Sequence, residues 1–126
     1  MIRKFTVDVP TVVATGEAYS PYLSGFIESI QYIKDGSNAY SDGVDFTITA
    51  EATGETIWTE ADVNAAVIKH PRAPTHSTAG VASLYAGSGT AVNDRIALGR
   101  DRVKIAIAQG GNAKTGRFVI TVEDGR

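Results

Sequence analysis

Apolar and polar residues alternate along most of this 126-residue chain, and this period of two restricts its fold more than any other feature. The clearest stretches are Arg3–Val9, Val44–Glu51 and Arg117–Glu123. From Phe5, Val44 and Phe118 onward, every second side chain in them is apolar, as in a strand with one buried and one exposed face. Val and Ile number 12 and 11 whereas Leu numbers three, and such β-branched residues favour strands. The pattern predicts an all-β domain.

The spacing of the strands and turns predicts the architecture. About seven to nine short strands are typical of an antiparallel β-sandwich or a small barrel. The length is that of one domain, residues 1–126. Val103, Ile105 and Ile107 alternate before a glycine-rich turn, and the last strand follows that turn. We therefore expect Asp101 to Glu123 to form a long terminal hairpin.

The segment from Ser24 to Lys34 has a less regular pattern. A helix is one interpretation, because four of its apolar residues are spaced by three and four. Gly25 and the β-branched content favour a strand instead, and the irregular alternation favours a bulge. We expect Phe26 and Ile30 to share one face of this strand and Ile27 to lie on the other.

A shorter segment, Glu55 to Thr59, contains the only tryptophan of the chain, Trp58. Ile57 and Trp58 are adjacent, so a simple strand buries one of them and not both. We expect Trp58 at the edge of the core or at an interface.

The segment from His70 to Gly89 is the least regular part of the sequence. It contains two of the four prolines and many small polar residues. We expect a long exposed loop with one helical turn near 79–85. A loop of about 20 residues is unusual in a compact domain and is often functional.

Charge and composition exclude several classes of function. The chain has 12 basic and 14 acidic residues, and this net charge of −2 argues against nucleic-acid binding. No segment approaches the roughly 20 apolar residues that cross a bilayer. The first residues carry charge without a following apolar region, so they resemble a strand and not a signal peptide. We expect synthesis and folding in a cytoplasm.

No pattern indicates catalysis or a bound cofactor. The chain has no cysteine, and its two histidines, His70 and His76, are separated by two prolines that prevent a regular metal-binding spacing. The acidic and polar residues of 35–45 do not match a calcium loop and are typical of turns. The glycine-rich segments lack the phosphate-binding spacing, and no nucleophile motif occurs. We expect a protein that is not an enzyme, with no cofactor and no small-molecule substrate.

Aromatic side chains leave a sugar-binding function open. Exposed aromatic rings can form a platform for carbohydrate, although most aromatic residues of β-sandwiches are buried. The candidates for such a platform are Tyr19, Tyr22, Tyr32, Tyr40, Trp58 and Tyr85.

Three segments, at 43–54, 71–80 and 95–116, carry a resemblance to a known group of proteins. Together they resemble small structural proteins encoded in the head and head–tail gene clusters of tailed bacteriophages, over about Ser24 to Val122. The resemblance implies a component of the virion, made in the bacterial host cytoplasm. We expect a capsid decoration (cement) protein that reinforces the head shell. The alternatives are a head–tail connector, tail-completion or tail-tube protein that forms a ring, and a carbohydrate-binding module.

A virion protein acts through contacts with its neighbours, here the major capsid protein, further copies of itself, or both. The long loop and the N-terminal segment are the expected contact regions, and no nucleic acid or membrane is expected as a partner. The expected contact residues are Ile2, Arg3, Phe5, Arg72, His76 and Tyr85.

Overall fold

The computed structural model describes residues 1–125, and this part of the chain contains ten strands and no helix. It therefore has no helix that is long and apolar enough to cross a membrane. The strands are β1 (Ile2–Pro10), β2 (Gly16–Tyr19), β3 (Leu23–Lys34), β4 (Asp45–Ala50), β5 (Thr56–Glu60), β6 (Val67–Lys69), β7 (Arg72–Pro74), β8 (Asn93–Asp101), β9 (Val103–Ala108) and β10 (Thr115–Glu123).

The strands form two antiparallel sheets that pack against each other, which confirms the predicted all-β sandwich. The larger sheet has the order β1-β10-β3-β8-β7, and β6 shares an edge of β3 with β8. The smaller sheet has the order β2-β9-β4-β5. β1 and β2 are edge strands on the same side of the sandwich, where they contact each other without pairing.

The core lies between the sheets and is built from the alternating positions that the sequence indicates. Most of the predicted inward residues are fully buried, namely Phe46, Ile48, Ala50, Val103, Ile105, Ile107, Phe118, Ile120 and Val122. An aromatic cluster occupies its centre. The ring of Phe46 meets those of Tyr32, Phe118 and Trp58 edge-on, with centroids 4.8, 5.0 and 5.5 Å apart. This geometry suits the charge distribution of aromatic rings.

The predicted terminal hairpin is wrong. β9 pairs with β2 and β4 in the smaller sheet, whereas β10 pairs with β1 and β3 in the larger one. Residues 109–114 cross between the sheets, and the turn after β1 holds them there. The Thr11 N–H donates to the Lys114 carbonyl at 2.8 Å, and its hydroxyl donates to the Gly111 carbonyl at 2.6 Å. Alternation marks the inward face of each strand but not its sheet, because both sheets face the same core.

A bulge in β3 explains why its face was predicted incorrectly. Thr121 of β10 lies opposite Ser29 whereas the next residue lies opposite Ile27, so Glu28 is the additional residue. The bulge reverses the alternation at this point, and Ile27 and Ile30 are both buried. Phe26 consequently lies on the outer face and not with Ile30.

A second irregularity, in β5, buries both Ile57 and Trp58. Ile48 of β4 pairs with Trp58 and the next residue of β4 pairs with Thr56, so Ile57 is the additional residue. The expectation that only one of the two is buried is therefore wrong. Trp58 lies on an edge strand at the margin of the core, where its Nε1 donates to the Glu60 carboxylate at 3.0 Å.

The buried hydroxyl of Tyr40 joins β1 to β10 at one end. It donates to the Val9 carbonyl at 2.5 Å and accepts a hydrogen bond from the Gly116 N–H. Burial raises the pKa of Tyr40 well above its usual value, so the hydroxyl remains protonated.

Candidate interaction surface

The most distinctive surface feature is a segment that we term the extension, residues 75–92. It continues the β7–β8 pair beyond the body of the larger sheet. The Thr75 N–H donates to the Val92 carbonyl at 2.9 Å, and the Thr75 hydroxyl donates to the same oxygen at 2.7 Å. Ser83 bonds to both of these residues, because its N–H donates to the Thr75 carbonyl and its carbonyl accepts from the Val92 N–H. The three segments around Thr75, Ser83 and Val92 therefore meet in a closed ring of three backbone hydrogen bonds.

Two tight turns connect these three segments. In the first, the Ser77 N–H donates to the Val81 carbonyl at 2.8 Å. In the second, the Tyr85 N–H donates to the Thr90 carbonyl at 3.0 Å. The helical turn expected near 79–85 is wrong, since Ala79 and Gly80 belong to the first turn and Ala82 and Leu84 form isolated antiparallel bridges with His76 and Ala91. The abundant small residues serve tight turns instead.

The extension is ordered by its own backbone hydrogen bonds and contributes no residue to the buried core cluster. It nevertheless carries three exposed apolar side chains. Val81, Leu84 and Tyr85 are 65, 41 and 74% exposed. Ordered backbone with exposed apolar and aromatic side chains is typical of a surface that contacts another protein.

Arg72 attaches the base of the extension to the bulge in β3. Its guanidinium donates to the carbonyls of Pro71, Glu28 and Ile27 at 2.8, 3.3 and 3.5 Å. The last two are carbonyls at the gap where the edge of β3 passes from β8 to β6. Arg72 therefore replaces a strand partner at this gap.

Charges at the same base are arranged around Glu28. Arg72 of β7 lies directly opposite Arg95 of β8, and two such cations would repel each other without a counter-charge. Glu28 lies 2.7 Å from Arg95 and 3.8 Å from Arg72. The hydrogen bond to Glu28 raises the pKa of Arg95, and the Arg95 guanidinium also lies 4.3 Å from the ring centroid of Phe26.

Replacing Arg72 with alanine is expected to loosen the extension before the body of the domain. Hydrogen bonds from a charged donor stabilise by about 1.5–3 kcal/mol, and Arg72 is partly exposed, so we expect about 1–2 kcal/mol. Amide exchange at Thr75 and Val92 should become faster, whereas exchange in β4 and β9 should not change. Arg72→Lys should give an intermediate effect, because lysine is shorter and lacks the second terminal nitrogen, Nη2, that lies near the Glu28 carboxylate. Uniformly faster exchange would contradict this role.

The structure separates the three loop residues that the sequence indicated as contacts. His76 and Tyr85 are exposed on the extension, whereas Arg72 is engaged at its base. Sequence reasoning missed Val81 and Leu84. Each is an isolated apolar residue within a stretch of small polar ones. In such a stretch, the sequence does not show whether an apolar side chain is exposed or buried.

The three N-terminal candidates lie in β1, which is an edge strand and not a free arm. Ile2 is exposed. The Arg3 guanidinium lies 2.7 Å from the Asp124 carboxylate, and Phe5 packs against the core. The edge of β1 therefore offers mainly backbone N–H and C=O groups, and few free side chains, to a partner.

In the segment at 35–45, which is rich in side-chain oxygens, the first acidic residue stabilises a turn. The Asp35 carboxylate accepts the backbone N–H groups of Asn38 and Ser37 at 2.6 and 3.1 Å, and these bonds lower its pKa. Within residues 1–125 no group of three or more acidic or histidine side chains is arranged to hold a metal ion. His70 and His76 are both exposed.

The six aromatic residues considered for sugar binding do not form one platform. The three buried ones are Tyr32, Tyr40 and Trp58. Tyr19 and Tyr22 are exposed, but the Arg102 guanidinium lies 4.2 and 5.2 Å from their ring centroids. Arg102 is itself held by two hydrogen bonds to Glu51, and these lower the pKa of that carboxyl group. A guanidinium therefore occupies ring surface that a sugar would use.

No protein-family model matches the chain, and no curated protein matches it. Among solved structures, the chain is similar to one described as "Crystal Structure of FLHE", over 97% of each chain, with 6% identity and a TM-score of 0.47. This likeness is too distant to support a conclusion about fold or function.

Proposed function

We propose that this protein is a structural component of a bacteriophage virion, a decoration protein that binds the outside of the capsid shell and reinforces it. The major capsid protein is the proposed partner, and the extension at 75–92 is the proposed contact. The observation that carries the proposal is the ordered, exposed extension with Val81, Leu84 and Tyr85 at its surface.

Physical reasons favour the extension as the contact. A segment already held by its own hydrogen bonds loses little conformational entropy on binding. Tyrosine is enriched among residues that dominate binding energies, and small turn residues allow close approach to a partner. Such a contact requires no catalytic group, cofactor, nucleic acid or membrane.

The proposal is tested by replacing residues 76–91 with Asn-Gly. Thr75 and Val92 are already hydrogen-bonded neighbours, and Asn-Gly favours the tight turn that would join them. The shortened protein should keep its fold, because no core residue is removed. It should not bind capsid shells assembled from the same genome without this protein. Cosedimentation with such shells measures the binding.

A point variant supplies the matched comparison. Tyr85→Ala should weaken shell binding by about 2 kcal/mol or more, near thirtyfold in dissociation constant. Ile68→Ala removes another exposed apolar side chain, outside the extension, and should bind normally. Normal binding by the shortened protein would refute the proposed contact. Absence of binding by the unaltered protein would refute the decoration function.

A further inference from the structure

The outer edge of β1 is an unused hydrogen-bonding edge. β1 pairs with β10 on one side, and within residues 1–125 no strand pairs with its other side. Nine residues make this a long edge strand. Long unpaired edges attract other strands, and natural proteins normally cover or disrupt them.

The direction of the backbone groups along β1 follows from three hydrogen bonds. The Met1 carbonyl accepts from Asp124, the Val9 carbonyl accepts from Tyr40 beside β10, and the Thr11 N–H donates to Lys114. Backbone groups alternate in direction along a strand, so the odd-numbered residues face β10. The N–H and C=O groups of Ile2, Lys4, Thr6 and Asp8 therefore face the open edge, whereas the Pro10 carbonyl lies close to Gly16 of β2.

The sequence of this edge is complementary to itself. When two copies of β1 run antiparallel about a two-fold axis at Thr6, Lys4 of one copy lies opposite Asp8 of the other. Phe5 then lies opposite Val7, and Thr6 lies opposite Thr6. Cross-strand pairs of opposite charge, of apolar residues and of threonines are each favourable. Ile2 lies opposite Pro10, which lacks an N–H and whose carbonyl lies close to Gly16 of β2, at the end of the ladder where missing bonds matter least.

Exposed apolar residues at the two ends of the edge supply an independent observation. Ile2 is 63% exposed at one end of β1, and Val12 is 72% exposed just beyond the other end. The antiparallel arrangement places Ile2 of one copy beside the Val12 turn of the other. Each copy therefore covers an apolar residue at both ends of the paired edge.

We infer that β1 is a homodimerisation edge, and that two copies of this chain join their larger sheets through β1–β1 pairing about a two-fold axis at Thr6. The partner is a second copy and not an unrelated strand, because the charges of β1 complement β1 itself. Asp8 already lies 2.9 Å from Arg117 on one side, and Lys4 of the second copy approaches it from the other. The inference does not rest on the proposed function, since the dimer forms without a shell.

Light scattering on a sizing column, over about 1 µM to 1 mM, measures the mass of the unaltered protein and of Thr6→Pro. The unaltered protein should reach twice the 13.3 kDa mass of one chain. Proline at position 6 removes an N–H that faces the open edge and leaves the β1–β10 bonds intact. Thr6→Pro should remain monomeric, with a circular dichroism spectrum of the folded protein. A monomeric unaltered protein, or a dimer that persists in folded Thr6→Pro, would overturn the inference.

Charge reversal tests the register. Lys4→Glu places like charges opposite each other twice per dimer and should weaken dimerisation about tenfold or more. Adding Asp8→Lys restores opposite charges and should recover most of the affinity; a double variant no tighter than Lys4→Glu would overturn this register. Melting temperatures identify any loss of folding, since Asp8→Lys also removes the contact with Arg117. A dimer that ignores capsid shells would refute the proposed function and leave this inference standing.

Discussion

Replacing Phe46 with alanine is expected to lower the free energy of unfolding by about 3–5 kcal/mol. Phe46 is 1% exposed and lies at the centre of the aromatic cluster, in contact with Tyr32, Phe118 and Trp58. Alanine removes the buried ring and its edge-on contacts, and it leaves a cavity between two sheets whose backbones cannot close over it. Urea unfolding followed by circular dichroism measures the loss. A domain of this size has about 5–15 kcal/mol in total, so the variant is expected to be marginal.

Phe26→Ala is the matched control, because it removes the same side chain from the outer face. Phe26 is 41% exposed and contacts Arg95, so its loss should cost about 1 kcal/mol or less. The comparison also tests the bulge in β3, which is the reason Phe26 faces outward. Similar losses for the two variants would contradict the positions that the structure assigns to them.

Replacing Gly25 with alanine is the second change with a large expected effect. Gly25 has a φ of +132° in β3, a conformation that residues with a side chain rarely adopt. A Cβ at this position would also overlap the carbonyl oxygen of Glu123 at the end of β10. The conformational strain alone costs about 1–3 kcal/mol, and the overlap adds to it by separating β3 from β10. Thermal unfolding should show a clearly lower melting temperature.

Gly36→Ala gives the comparison for this prediction. Gly36 lies in the turn after β3, has no positive φ, and no atom approaches within 4 Å of the position that a Cβ would take. Alanine there should leave the melting temperature unchanged or raise it slightly, because it restricts the unfolded chain. Equal melting temperatures for the two variants would show that the close approach at Gly25 does not constrain the fold.

The interaction surfaces could be predicted from the sequence only as regions. Length, prolines and small polar residues identify 70–89 as unusual. They do not show that Thr75, Ser83 and Val92 are hydrogen-bonded to one another, because those contacts join residues 8 to 17 positions apart in the chain. Arg72 illustrates the same limit. Its sequence position suggests an exposed contact, whereas two of its three carbonyl partners belong to β3, more than 40 residues away.

The strand content and the inward face of each regular strand could be derived from local pattern. Alternation along β4 and β10 correctly identifies residues such as Phe46 and Phe118, because burial on one face of a strand imposes a period of two on its side chains. This reasoning fails where one additional residue changes the phase, at Glu28 in β3 and Ile57 in β5. Bulges arise from pairing with a neighbouring strand, so a single strand carries little sign of them.

Which strands pair with each other could be determined only from the tertiary structure. β9 and β10 are adjacent in sequence and both alternate cleanly, yet they lie in opposite sheets. Each strand buries an apolar face in the same core, so its local pattern is the same whether the two strands form a hairpin in one sheet or cross between the two sheets. The choice depends on contacts such as those from Thr11 to residues 111–114, about 100 residues away in sequence. Periodicity is a property of one segment, whereas sheet order is a property of the whole chain. In this protein, the sheet order determines where the extension lies and leaves one edge of β1 without a partner strand.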